Sequence, residues 1–183
     1  MNNALYSTQN ELMLSTLKEF YKKEDHLNKM MKIITGESKI SLRIVDWFTT
    51  NYAKKEFTVF ELDNGRRFKV YSDYKLKLKA YSKKRFDPFC RWDRINLPYK
   101  EDSYIETTIG QLNFFKWTLE NKVIDYIEAH YNEIEEDMNN RNSNSRKLDS
   151  ADNAKTRKKR EELSISASKS IKKEKVIVTV NFQ

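Results

Sequence analysis

The densest run of side chains able to act on a partner spans Tyr71 to Arg94. Lys75, Lys77, Lys79, Lys83, Lys84, Arg85, Arg91 and Arg94 interleave there with Tyr71, Tyr74, Tyr81, Phe86, Phe89 and Trp92, opposed only by Asp73, Asp87 and Asp93. Ammonium and guanidinium groups neutralise phosphates and release counterions. Aromatic rings can stack on exposed bases. The chemistry is polyanion binding, and no side-chain pattern dictates base readout, so contact is expected to be largely independent of sequence. A plainer account places the rings in a core and leaves the cations to solvate its outside. Tyr74, Tyr81, Phe86 and Phe89 are assigned to the core on that account, which leaves a cationic face with little base stacking. The expected nucleic-acid contacts are Lys75, Lys79, Lys83, Lys84, Arg85, Arg91 and Arg94.

A second basic block, Lys155, Arg157, Lys158, Lys159 and Arg160, lies in a polar segment and reads as a mobile arm on nucleic acid or a nuclear address. Lys172, Lys173 and Lys175 follow, with Ser164, Ser166, Ser168 and Ser170 between, where phosphorylation would cancel charge.

Catalytic chemistry finds little support. His26 and His130 read as helix-surface residues, and Cys90 has no neighbouring histidine. Gly36, Gly65 and Gly110 are isolated, so no glycine loop cradles a phosphate. Glu61, Asp63 and Lys69 could imitate a nuclease edge but read as exposed charges on a hairpin. Asp46 and Asp87 are expected to pair with Arg43, Arg85 or Arg91. No metal-ligand spacing stands out, so the chain is read as non-enzymatic, with no cofactor or metal. One cysteine excludes an internal disulfide framework and points to a reducing, intracellular compartment. The first residues lack a basic flank and a long apolar run, so no signal peptide and no membrane partner are expected.

The elements that position the basic run follow from periodicity. Met13, Leu17, Phe20, Leu27, Met31 and Ile34 predict a helix over 10–34, ended by Gly36. Ile40, Ile44, Trp47, Phe48 and Tyr52 predict another over 39–54, capped by Ser38 or Ser41. Residues 56–62 and 66–71 alternate around Asp63-Asn64-Gly65, a β-hairpin with a type I′ turn. Residues 73–84 admit a strand or a helix; helix is preferred, and either makes a basic surface. Residues 86–99 hold both prolines and read as an ordered loop. Thr107 or Thr108 opens a helix to Glu120, and a second follows over 121–138. A helix-turn-helix there is disfavoured because the second helix is acidic, although Asn113 and Lys116 could approach DNA from the first.

Together these predict a mostly helical, compact α+β domain over residues 1–138 with a β-hairpin. A disordered basic tail is expected over 139–175, then a docking strand over 176–183. Charge is uneven: 39–100 carries sixteen basic and seven acidic residues, 101–150 five and eleven, and the whole chain of 183 residues is +8. The acidic segment could fold over the basic one and mask it.

The phrases SLRIVDWFTTNYAKK, AYSKKRFDPFCR and TTIGQLNFFKWTLENKVIDY resemble a family of small uncharacterised proteins of nucleocytoplasmic large DNA viruses, over roughly residues 39–138. The resemblance implies a viral origin and an AT-biased genome, and no established activity. The expected function is a sequence-independent nucleic-acid-binding protein acting in genome packaging or transcription. DNA is expected ahead of RNA, and the place is the host nucleus, the viral factory or the virion. A structural or adaptor virion protein that meets an acidic viral protein partner is the alternative.

Overall fold

The computed structural model describes residues 9–89, 94–100, 103–149 and 172–175. Its central element is a helix, Ile109–Glu120, buried at every position from Gly110 to Phe115 and again at Trp117 and Thr118. A helix buried on nearly all sides lies inside the domain, and its buried polar residues Gln111, Asn113 and Thr118 each make a hydrogen bond there. Thr108 caps it, its hydroxyl accepting from the Gln111 N–H at 3.2 Å. Phe114 and Phe115 are fully enclosed, and truncating either would cost about 3–5 kcal/mol.

In chain order, α1 (Gln9–Tyr21) and α2 (Glu24–Thr35) come first. The single helix expected over 10–34 is therefore two. The apolar stripe steps six positions, from Tyr21 to Leu27, and six residues at 3.6 per turn lose phase. A break at Lys22 and Lys23 lets both halves bury an apolar face, and His26 stacks on Phe20 across it with 4.1 Å between ring centroids. Gly36, with φ 78°, ends α2.

α3 (Leu42–Trp47) starts at Ser41, whose side chain accepts from the Ile44 N–H. It runs without interruption through a π-helical turn, Phe48–Tyr52, into α4 (Ala53–Lys55). β1 (Val59–Glu61) and β2 (Arg67–Lys69) form the expected hairpin, pairing Val59 with Lys69 and Glu61 with Arg67. Its turn is wider than the two-residue type I′ expected. Leu62 N–H bonds to the Arg66 carbonyl and Gly65 N–H to the Leu62 carbonyl, and only Gly65, φ 73°, takes a positive angle in the turn.

α5 (Val70–Phe86) follows β2 directly. The loop expected over 86–99 gives way to β3 (Arg94–Lys100), which pairs with β4 (Ser103–Thr108). Pro98 is accommodated because β3 is the outer strand of a three-stranded sheet and the register shifts between Pro98 and Lys100. The central helix is α6, followed by α7 (Val123–Ala129) and α8 (Tyr131–Asp149). Asn121 marks the break between α6 and α7, with Lys122 left-handed at φ 54°.

Further boundaries differ from those read in the sequence: β1 and β2 are shorter than the expected 56–62 and 66–71, and α5 begins at Val70. α8 continues past residue 138 to Asp149. Within the segment expected to be disordered, β5 (Lys172–Lys175) pairs antiparallel with β4 from Ser103 to Glu106. The docking strand expected over 176–183 lies outside the described residues. The architecture is α+β: a helical body around α6, a two-stranded hairpin and a three-stranded antiparallel sheet.

Candidate nucleic-acid interface

α5 carries most of the predicted cations, and its inner side explains its helicity. Val70, Tyr74 and Phe86 are buried, with Tyr71, Leu78 and Tyr81 packed at the margin. The Tyr74 ring lies 5.9 Å from Phe86, 6.5 Å from Phe114 and 6.0 Å from Trp117. Helical spacing delivers these rings to α6. The rings assigned to the core are therefore there, wholly or in part.

The outer side presents Lys75, Lys79, Lys83 and Lys84, with Leu76 among them at 65% exposure. Lys75 and Lys79 are one turn apart, about 6 Å along the axis. Ser82 breaks the helix at φ 63°, ψ 167°, a backbone region held almost only by glycine. Lys83 and Lys84 thus leave in a new direction instead of extending the Lys75–Lys79 line. Nothing in the local sequence signals this bend.

Two acids of the run, Asp73 and Asp87, bond within the fold. Asp73 accepts from Trp117 Nε1 at 2.6 Å. Asp87 accepts from the Phe89 N–H at 2.8 Å. Asp46, expected to pair with an arginine, instead lies half-buried near Asp87; its partial burial first and that second carboxylate next push its carboxyl up to about 7. Burial, with Asp46 and Asp87 nearby, also raises Tyr74.

Two predicted arginines are committed within the fold. Arg85 is half-buried, donating from Nε to Asn10 Oδ1 at 2.8 Å and from Nη1 to Gln9 Oε1 at 2.7 Å. Those acceptors are neutral and leave its charge in place. Arg94 is exposed on β3 and paired with Glu106 at 2.7 Å. Arg91 and the block Lys155, Arg157, Lys158, Lys159 and Arg160 lie outside the described residues. Asn113 and Lys116 do not form a DNA-reading edge. Asn113 is 8% exposed and donates to the Arg85 carbonyl at 2.9 Å, and Lys116 pairs with Glu120.

Apart from Glu106 on Arg94, the bonds of the acidic segment seen among the described residues lie elsewhere. α8 packs on α3 and the π turn, while α5 packs chiefly on α6. Asp137 accepts from Lys55 at 2.8 Å and from Trp47 Nε1 at 3.0 Å. Burial opposes ionisation of Asp137, but the bonds from Lys55 and Trp47 prevail and hold it below the usual carboxylate range. Among the described residues no ion pair engages Lys75, Lys79 or Lys83. Among the same residues no group of three or more histidine, cysteine or carboxylate side chains could hold a metal, and no helix is long and apolar enough to cross a membrane.

Comparison with known proteins agrees with the viral resemblance. A protein of Acanthamoeba polyphaga mimivirus, itself described as uncharacterized, is 42% identical over 146 residues, covering 75% of this chain. The chain spans 56% of the length of that relative. No solved structure matches. A family model, described as a family of unknown function (DUF7197), matches residues 1–182. The chain therefore belongs to DUF7197, an uncharacterised family of giant-virus proteins.

Proposed function

We propose that this protein binds nucleic acid without catalysis and largely without regard to sequence, DNA ahead of RNA, in genome packaging or transcription of a large DNA virus. The observation that carries the reading is the outer side of α5. Lys75, Lys79 and Lys83 are exposed and engaged by no ion pair among the described residues, although the chain holds 27 acidic side chains. Burying Tyr74 and Phe86 against α6 makes the backbone beneath these cations rigid. A cationic surface anchored in this way suits phosphate contact, which positions a nucleic acid without reading it.

Fluorescence anisotropy against salt tests the reading. Each phosphate neutralised by the protein contributes about 0.9 to the slope of log affinity on log salt for duplex and about 0.7 for single strands. Lys75→Ala with Lys79→Ala should therefore flatten the slope by about 1.8 on duplex DNA. Absence of any binding by the full chain at about 50 mM salt, where cationic sites are strongest, would overturn the proposal.

Leu76 favours a second reading. An apolar side chain 65% exposed between two lysines suits a protein surface and supports a structural or adaptor virion protein that meets an acidic partner. Competition of oligonucleotide binding by an acidic peptide, with loss of that competition in Leu76→Ser, would favour this reading.

A further inference from the structure

Phe57 is the most exposed large apolar side chain among the described residues, at 84%. It is also left-handed, with φ 49°. A single exposed hydrophobic residue needs no explanation, but a bulky one held at positive φ does. The local cause is visible. The Thr58 N–H reaches back over the end of α4 to the Ala53 carbonyl at 3.2 Å. This wrapping closes a helix through a left-handed residue, usually glycine. Phe57 occupies that place. Glycine would relieve the backbone and remove the exposed ring together, so the stability of the fold does not account for phenylalanine.

The surroundings say what the ring suits. The Val70 N–H bonds to the Thr58 carbonyl at 3.3 Å, which sets residue 57 beside the start of α5. Lys75 and Lys79 lie about 7 and 13 Å farther along that helix at 1.5 Å per residue. Val59, 46% exposed, faces outward from the hairpin opposite Lys69, with Arg67 beside them. Lys54 and Lys55 precede the ring, and Lys54 sits over the Tyr71 ring at 5.7 Å. Cations still outnumber carboxylates in this neighbourhood: Lys54, Lys55, Arg67 and Lys69 against Glu56, Glu61 and Asp137, with Lys55 paired to Asp137 at 2.8 Å and to Glu56 at 3.2 Å. A protein anchor would need a broader apolar surround. A flat ring bordered by cations suits a base with its phosphates.

We infer that Phe57 is a base-stacking residue, which takes an unpaired base of a single-stranded segment whose backbone then follows the lysines of α5. The inference rests on the nucleic-acid reading above and adds a preference to it: single strands over duplex.

Anisotropy titrations with a single-stranded oligonucleotide and its duplex test this, using the full chain, Phe57→Ala and Lys75→Glu/Lys79→Glu. Phe57→Ala should weaken the single strand about 5-fold or more. It should leave the duplex within about 2-fold and the single-strand salt slope unchanged, because the same phosphates stay neutralised. Its melting temperature should hold or rise. The lysine variant should flatten the slope on both ligands. Unchanged single-strand affinity in Phe57→Ala, with the lysine variant weakened, would overturn the stacking role, keep the cationic face and return the ring to a protein partner. Equal losses on both ligands would also overturn it. No binding of either ligand by the full chain would overturn both proposals.

Discussion

Replacing Asp46 by asparagine should stabilise the protein, and the gain should depend on pH. Asp46 lies half-buried in the last turn of α3, and its backbone carbonyl accepts from the hydroxyls of Thr49 at 3.1 Å and Thr50 at 2.7 Å. Its carboxyl faces Asp87, and Tyr74 lies close to both. Burial and the Asp87 charge raise it from 3.8 to about 7. Because the folded value lies above the unfolded one, the native state holds the proton through that window and the unfolded chain does not. Stability from this group is therefore fully present below the unfolded value and is lost as pH rises towards the folded one. Three units at about 1.4 kcal/mol each give a penalty of about 4 kcal/mol at pH 8 and about 1 kcal/mol at pH 4.5. Asparagine has the same shape and does not ionise. Urea unfolding of wild type and Asp46→Asn at both pH values should show the advantage of the variant growing by about 3 kcal/mol. A pH-independent difference, or a variant less stable than wild type at pH 8, would refute the reasoning. Asp87→Asn should move the wild-type transition to lower pH, by removing the second cause.

Ser82→Gly should stabilise the domain by about 1 kcal/mol, after the entropy of glycine in the unfolded chain is set against the relieved backbone; a lower urea midpoint would show that the bend is not strained. Thr108→Ala should cost about 1 kcal/mol by uncapping α6, and Thr108→Ser should recover most of it. Equal loss in both would mean that the methyl group, not the hydroxyl, matters at that position.

Features written in neighbouring residues are legible in the sequence. The Ser41 and Thr108 caps, the Gly36 stop and the hairpin around Gly65 each depend on a few adjacent positions, and each occurs in the fold. Features that depend on distant partners are not. Lysine alternation in α5 suits a strand as well as a helix, and Phe114 and Trp117, contributed by α6, decide between them. Pro98 argues against a strand until the outer position of β3 is known. The inward turn of Asp73 needs Trp117, and the burial of Asp46 needs the packing around it. In the candidate site, the lysines of α5 follow from composition and spacing. The docking of Arg85 on Gln9 and Asn10 does not, because 75 residues separate Arg85 from Asn10. Phe57 reads as a strand residue in the sequence, since alternation reports faces and is silent about the sign of φ.

The arrangement of charge bears on whether an acidic helix can silence a basic one. Net charge suggests it could, because residues 101–150 carry six more acids than bases against an excess of nine bases over 39–100. Glu106 does pair with Arg94 at 2.7 Å, but among the described residues the carboxylates of α8 leave α5 alone. Asp137 is bonded to Lys55 and Trp47, Tyr52 donates to Glu133 at 3.4 Å, and Tyr131 donates to Glu135 at 2.9 Å. These partners lie on α3, the π turn, α4 and α8 itself, not on α5. At physiological ionic strength exposed charges are largely screened beyond about 8 Å. A carboxylate beyond that distance therefore subtracts little from the field over Lys75 and Lys79. In the proposed binding mode the salt slope should follow the lysines of α5 and be nearly insensitive to neutralising Glu133. The formal charge of +8 then says less about affinity than the few cations that no carboxylate among the described residues pairs with.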